Sequence, residues 1–257
     1  MKLVILAGGR GTRLTEETLI KPKPLVDIGN KPIIWHIMKI YSHYGINDFI
    51  ICLGYKGYLI KEYFANYFLH NSDLTIDLKK NSTTIHQKKT ENWKVTLVDT
   101  GDDTLTGGRI LKIKKYIKSD FLLTYGDGLS NVNINKLIHF HKNNQKLVTV
   151  TAIQPQGRFG IIDINKKNKV TNFKEKPKGD NNWINGGFFV LKPGIFNFLE
   201  NESSVWEKKP LTEMTKRNQV VAFKHNGFWH AMDTVRDKVL LDNLWENGKA
   251  PWKIWNE

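Results

Sequence analysis

The chain has 257 residues, 39 basic and 25 acidic side chains, and a formal net charge of +14. Apolar residues make up 40% and aromatics 11%, enough for a full core, so intrinsic disorder is excluded. The single cysteine, Cys52, excludes an internal disulfide and a cysteine-based zinc site, and no apolar run approaches the roughly 18 residues of a bilayer span.

Lys2 to Leu6 is a short apolar run closed by Gly8-Gly9, the pattern of a buried parallel strand. It is too short for a signal h-region, so a cytoplasmic protein with no membrane partner is expected. Pro32 stands where a helix would begin. Ile33, Ile34, Ile37, Ile40 and Tyr41 then recur at helical spacing until Gly45. Phe49 to Leu53 reads as a second strand, ended by Gly54. Ile60, Tyr63, Phe64 and Tyr67 mark a helix, and Val95 to Val98 a third strand. Phe121 to Tyr125 is a fourth strand ended by Gly126. Ile134, Leu137, Ile138 and Phe140 mark a helix before a fifth strand, Val148 to Ala152. Strands alternating with helices predict βαβ units and a mostly parallel α/β sheet covered on both faces.

After Ala152 the texture changes. Gly160 to Ile164, Val170 to Phe173 and Gly187 to Leu191 read as short strands parted by polar turns. Helical patterns return at Ile195 to Leu199, Leu211 to Arg217 and Val235 to Trp245. No linker composition separates the halves and no repeat is present. The expected organisation is one domain over 1–257, with residues 1–152 as one half and a smaller, sheet-rich half over 153–257.

The sharpest chemical feature is Leu6-Ala7-Gly8-Gly9-Arg10-Gly11-Thr12-Arg13-Leu14, directly after the first strand. Three glycines allow a tight turn and close approach of backbone to a ligand. Successive N–H groups in such a turn form an anion nest, and Thr12 and Arg13 suit phosphate oxygens. The loop lies at a strand's carboxyl end, where open α/β sheets bind ligands. It is neither a Walker A loop nor the three-glycine dinucleotide fingerprint. Alone, such a turn is equally a plain connector.

Lys21-Pro22-Lys23-Pro24 follows, a stiff extended segment that can aim a lysine at bound phosphates or simply be a solvated basic turn. Asp127, between Gly126 and Gly128 at another strand's carboxyl end, suits a hard cation such as Mg2+. Asp233 precedes a helical pattern, so it is either a second carboxylate on that ion or a helix N-cap. His230 stands beside it.

These segments, with Glu175-Lys176-Pro177 and Asn185-Gly186-Gly187 in the same order, resemble the sugar nucleotidyltransferases along the whole chain. That family has a Rossmann-like, mostly parallel but mixed sheet flanked by helices, with a sugar-binding portion in the second half. Lys21-Pro22-Lys23-Pro24, Val98-Asp99-Thr100-Gly101-Asp102, Thr106-Gly107-Gly108-Arg109, Pro177-Lys178-Gly179-Asp180, Gly227-Phe228-Trp229 and Gly248-Lys249-Ala250-Pro251-Trp252-Lys253 are most similar to members that use CTP and α-D-glucose 1-phosphate.

The resemblance implies a role for each matching position. Leu6, Ala7, Gly8, Gly9, Arg10, Gly11, Thr12 and Arg13 would surround the CTP, with Arg10 turned to solvent. Lys23 and Arg13 would offset charge at the reacting phosphates. Thr104 and Arg109, on a loop around Thr106-Gly107-Gly108, would complete the nucleotide contacts, and Gly126 would lie against the ribose. Asp127 and Asp233 would hold Mg2+. Glu175 would accept sugar hydroxyls, Lys176 would pair with the 1-phosphate, and Asn185 and Gly186 would line the sugar pocket. A homo-oligomer, a hexamer, is also implied.

Two rivals follow from the residues themselves. Cytosine differs from uracil and thymine by an amino donor in place of a carbonyl, so one contact could switch the chain to UTP or dTTP. The +14 charge fits a noncatalytic nucleic-acid module. The lysines are spread along the chain, which favours a solvated surface and no nucleic-acid partner.

Overall fold

The computed structural model describes residues 1–12, 14–86, 90–155, 161–174 and 182–256. In chain order its elements begin with β1 (Leu3–Leu6), α1 (Thr15–Thr18), β2 (Asp27–Ile28), β3 (Lys31–Pro32), α2 (Ile33–His43), β4 (Asp48–Leu53), α3 (Gly57–Ala65) and α4 (Tyr67–Asn71). Next come β5 (Leu74–Asp77), β6 (Ser82–Ile85), β7 (Lys94–Asp99), α5 (Thr106–Lys112), β8 (Phe121–Tyr125), β9 (Gly128–Ser130) and α6 (Ile134–Asn144). The chain continues through β10 (Val148–Ile153), β11 (Ile161–Ile164), β12 (Val170–Lys174), β13 (Ile184–Leu191), α7 (Lys209–Lys216), β14 (Val220–His225), β15 (Trp229–Ala231) and α8 (Val235–Glu246).

One seven-stranded sheet organises these elements, in the order β14-β10-β13-β8-β1-β4-β7. β1 runs parallel to β4 and β8, β4 to β7, and β10 to β14. Only β13 is antiparallel to its neighbours, β8 and β10. The sheet is therefore mostly parallel but mixed, with helices on both faces, as the sequence predicts. Side chains alternate along each strand, so the apolar runs split between two layers. Leu3, Ile5, Phe49, Ile51, Leu122, Phe188 and Val190 join α2, α6 and Leu241 of α8 on one face. Val4, Ile50, Cys52, Phe121, Leu123 and Phe189 join Ile110 of α5, Phe196 and Met214 of α7 on the other.

Several local expectations are revised. The segment Ile195–Leu199 is not an α-helix but part of a 3₁₀ stretch, Pro193–Phe198, where Pro193 sets the first residue and too few residues follow to nucleate a full helix. The helix expected through Tyr67 breaks at Asn66 into α3 and α4. The turn expected at Thr106–Gly108 is the start of α5. Its glycines are required by packing: a β-carbon on Gly108 would stand 2.2 Å from the Glu202 carbonyl oxygen, and one on Gly107 2.8 Å from that of Ser204. β14, which the sequence reading does not include among its strands, is an edge strand whose side chains are half-buried or exposed. Of the short strands expected after Ala152, β11 and β12 form a separate exposed hairpin, whereas β13 lies inside the main sheet. Gly160 lies outside the described residues. Among the described residues no helix is long and apolar enough to cross a membrane.

The aromatic C-terminal segment folds back onto α2. Trp252 is fully buried and Trp255 nearly so. Trp245 stands edge-on to His36 at 4.5 Å between ring centroids and stacks with Trp252 at 6.4 Å. The His36 imidazole is closed in by hydrogen bonds with the Ile28 carbonyl, at 3.0 Å, and with Trp252 Nε1.

Candidate active site

The carboxyl ends of β8 and β1 and the first residues of β13 open into a cavity of about 520 Å³. That is the size of a small-molecule pocket. From β1 come Leu6, Ala7, Gly8, Gly9, Gly11 and Thr12; from the strand end of β8 come Gly126 and Asp127. Lys23, Thr104 and Arg109 line it as well, as do Asn185 and Gly186 of β13 and, late in the chain, Asp233. Residues that the sequence pattern singles out across more than 200 positions thus share one space.

The glycine loop leaves the sheet with its backbone exposed to the cavity. Ala7 still donates to Cys52 O at 3.0 Å, and the Gly8 carbonyl accepts from Tyr55 N at 3.3 Å. Among the described residues, the amides of Gly9, Arg10, Gly11 and Thr12 donate to no protein acceptor. Gly11 has φ +65°, the left-handed conformation that favours glycine, and any β-carbon there would stand 2.9 Å from Thr18 and 3.3 Å from the Lys23 stem. The loop is therefore closed against Thr18, whose hydroxyl donates to the Gly11 carbonyl at 3.2 Å and the Leu14 carbonyl at 2.8 Å. A row of unpartnered amides facing a cavity is an anion site in waiting. Arg10 turns outward and pairs with Asp103 at 2.9 Å on the surface. Arg13, Glu175 and Lys176 lie outside the described residues.

Arg109 holds the loop from behind. Its guanidinium donates to the carbonyls of Leu53, Gly101, Gly8 and Asp102 and to the Thr100 hydroxyl, at 2.7 to 3.1 Å. These acceptors come from the ends of β1, β4 and β7, so one side chain ties three strand ends together. A β-carbon on Gly8 would lie 2.2 Å from the guanidinium, which is why the loop needs a glycine there. Sequence reasoning places Arg109 against the nucleotide; the structure adds that both terminal guanidinium nitrogens are already engaged by the protein. Thr104 shares a rim cluster with Glu202, at 3.3 Å, and Lys112 pairs with Glu202 at 2.8 Å.

The electrostatic centre is Lys23. Its ammonium donates to Asp127 Oδ2 at 2.6 Å and to Asp233 Oδ1 at 2.8 Å. Burial would by itself lower the lysine pKa, but the two carboxylates outweigh it and hold the ammonium above its ordinary value. Asp233 is available for this because Thr234 caps α8. The Thr234 hydroxyl accepts from Asp237 N at 3.3 Å, and Asp237 Oδ2 accepts from Thr234 N at 2.8 Å, a complete capping box. The N-cap alternative for Asp233 is thereby removed. His230 turns to Asp237, 3.0 Å away, and not to Asp233.

Two carboxylates that already share one cation supply hard oxygen donors for another. Among the described residues no group of three or more His, Cys, Asp or Glu side chains is placed to hold a metal. A pair of carboxylates completed by water and substrate phosphates is how Mg2+ is commonly bound, so the donor set fits.

A second cluster at the β13 end includes Asn185 and Gly186, which the sequence places in the site, and Tyr125 and Glu207, which it does not. Tyr125 donates to Glu207 Oε1 at 2.5 Å and accepts from Asn185 Nδ2 at 3.2 Å. Thr106 donates to Glu207 Oε2 at 2.7 Å. Trp229 Nε1 donates to the Gly186 carbonyl at 2.7 Å. Burial, then the neighbouring Glu207 charge, push the Tyr125 phenol far above its ordinary value, so it stays protonated. The signal for Tyr125 was its place just before Gly126-Asp127. For Glu207, in an exposed turn, there was none.

A parallel sheet with a phosphate-sized amide loop and an acid pair at its carboxyl edge defines an α/β protein of the nucleotide-handling class. The model of the nucleotidyl transferase family matches residues 2–237, and the chain belongs to that family. It is 57% identical over 257 residues to the glucose-1-phosphate cytidylyltransferase of Salmonella typhimurium, a match covering 99% of this chain and 100% of the relative. It is 45% identical over 257 residues, with the same coverage, to a probable glucose-1-phosphate cytidylyltransferase of Bacillus subtilis. Among solved structures, a putative glucose-1-phosphate thymidylyltransferase from Bacillus anthracis superimposes with a TM-score of 0.71 at 17% identity, covering 100% of this chain and 98% of that one. HddC from Yersinia pseudotuberculosis gives 0.70 at 24%, covering 95% and 99%. These structural matches speak to the fold alone.

Proposed function

We propose that the chain transfers a cytidylyl group from CTP to α-D-glucose 1-phosphate, giving CDP-glucose and pyrophosphate. The observation that carries this reading is the Lys23 ammonium held between Asp127 and Asp233 at the mouth of the glycine loop. The choice of CTP and glucose 1-phosphate is supported by the full-length similarity to relatives of that name.

A phosphate oxygen of the sugar attacks the α-phosphorus in line with the departing pyrophosphate. That oxygen is already ionised near neutral pH, so no general base is required, and the task left to the protein is positioning and charge. The amides of Gly9 to Thr12 receive the triphosphate, and Arg109 keeps them in register. Lys23 offsets the charge that builds on the α-phosphate, a role that the family resemblance also gives to Arg13. Asp127 and Asp233 hold Mg2+, which when bound supplies Lewis-acid and templating chemistry. Tyr125, Asn185 and Trp229 shape the end of the cavity that takes the sugar; the family resemblance assigns the sugar hydroxyls to Glu175 and the 1-phosphate to Lys176. A cytoplasmic setting and a homo-oligomer, a hexamer, accompany this reading.

Pyrophosphate release from the purified chain tests it. Release with CTP and glucose 1-phosphate, and little with UTP or dTTP, is expected. Release only with UTP or dTTP would move the base preference, and release with no nucleotide would remove the reading altogether.

A further inference from the structure

The geometry points to Lys23 as a competitor for the metal site: its ammonium holds the Asp127–Asp233 pair until a nucleotide phosphate draws it away, so that divalent cation binding depends on nucleotide. This inference rests on the assignment of those two aspartates as metal ligands.

Three observations carry it. First, the ammonium already lies within hydrogen-bond distance of one oxygen on each carboxylate, at 2.6 and 2.8 Å, and the side chain is only 12% exposed. A divalent ion placed on the same pair would meet a cation at close range in a poorly hydrated space, and the mutual repulsion is unfavourable to both. Second, two aspartates and one lysine leave a single net negative charge, whereas two aspartates alone present two. The lysine thus removes half the electrostatic attraction for a metal. Third, the ammonium has a second place to go. The backbone of Lys23 is fixed between Pro22 and Pro24 in a short 3₁₀ turn, and its stem lies against Gly11. Gly9, Gly11 and Thr12, whose amides donate to no protein acceptor among the described residues, line the same cavity. A flexible four-carbon stem on a rigid backbone can exchange a carboxylate partner for a phosphate without movement of the main chain.

The consequence is coupling. Nucleotide phosphate removes the lysine from the acids and so strengthens metal binding, and metal strengthens nucleotide binding by the same factor. In the free protein the charge of the acid pair stays halved and its inner oxygens stay engaged by the ammonium, which disfavours stray divalent ions.

The test is Mn2+ binding to the nucleotide-free full chain, followed by electron paramagnetic resonance, in wild type, Lys23→Met, Lys23→Gln and Lys23→Arg. Removal of one charge-assisted partner from the pair is expected to tighten Mn2+ binding by about ten- to a hundredfold in the Met and Gln variants. The Arg variant, which keeps the charge, is expected to stay near wild type. Addition of CMP should tighten binding to wild type and narrow the gap to Lys23→Met. The melting temperature of Lys23→Met should be lower without metal and rise more with Mn2+ than that of wild type. Equal Mn2+ affinity across the four proteins, or weaker binding by Met and Gln, overturns the inference. That result would leave pyrophosphate release by wild type, and with it the proposed reaction, untouched.

Discussion

Two largely desolvated basic side chains, Lys23 and His36, are treated oppositely. Lys23 loses hydration but gains two carboxylates, so its charge is kept. His36 loses hydration among Trp35, Trp245, Trp252 and Trp255, with no carboxylate in hydrogen-bond contact among the described residues, and burial pushes its imidazole down from 6.5 to about 4. Depth of burial is therefore not what separates a reactive region from a structural one. What separates them is whether the desolvated group is given opposite charge at close range.

The largest break in this comparison comes from the acids. Asp127→Asn and Asp233→Asn should each lower turnover by roughly a thousandfold, the order lost with a principal transition-state group. Affinity for glucose 1-phosphate, measured by calorimetry, should change far less. Full turnover in both variants would detach the acid pair from the chemistry. On the aromatic side, Trp252→Ala removes a fully buried indole from over His36 and should cost about 3–5 kcal/mol in urea unfolding. Residual turnover per folded molecule should stay near wild type.

The pH dependence sharpens the contrast. Unfolded His36 takes up a proton near 6.5, while the folded group refuses it until about 4. Its contribution to stability is thus present above pH 6.5 and lost as pH falls toward 4, by roughly 3 kcal/mol. A His36→Gln variant should show a correspondingly shallower loss in urea titrations across that window. Lys23 works in the other direction. Its raised pKa gives stability that is complete below 10.5 and declines only as pH rises beyond that. The smallest expected effect is at the cavity rim. Glu207→Gln weakens the grip on Tyr125 and Thr106, and should raise the KM for the sugar phosphate by about tenfold or less with kcat nearly unchanged. An equal fall in kcat would show that Tyr125 acts in the transition state instead.

Much of the frame was legible in the residues. The apolar runs of β1, β4 and β8 point to buried parallel strands, because three to five consecutive apolar side chains need cover on both faces of a sheet. The glycines after β1 and around Asp127 mark where backbone meets ligand. Sequence alone also fixed that Trp252 and Trp255 must be covered, since a tail that aromatic is costly to expose.

Other features had no local cause. Whether Asp233 caps α8 or faces Lys23 depended on which residue the turn offered first to the helix amides, and Thr234 with Asp237 took that role. The resemblance marks Arg109 as a nucleotide contact, but its five acceptors come from three strand ends that only the folded sheet brings together. The antiparallel insertion of β13 between β8 and β10 likewise comes from pairing between distant segments, which no periodicity records. Periodicity reports how each segment divides its own side chains between oil and water. Contacts between polar groups far apart along the chain are short-ranged and directional, so they exist only once the sheet has set those groups within about 3 Å of one another.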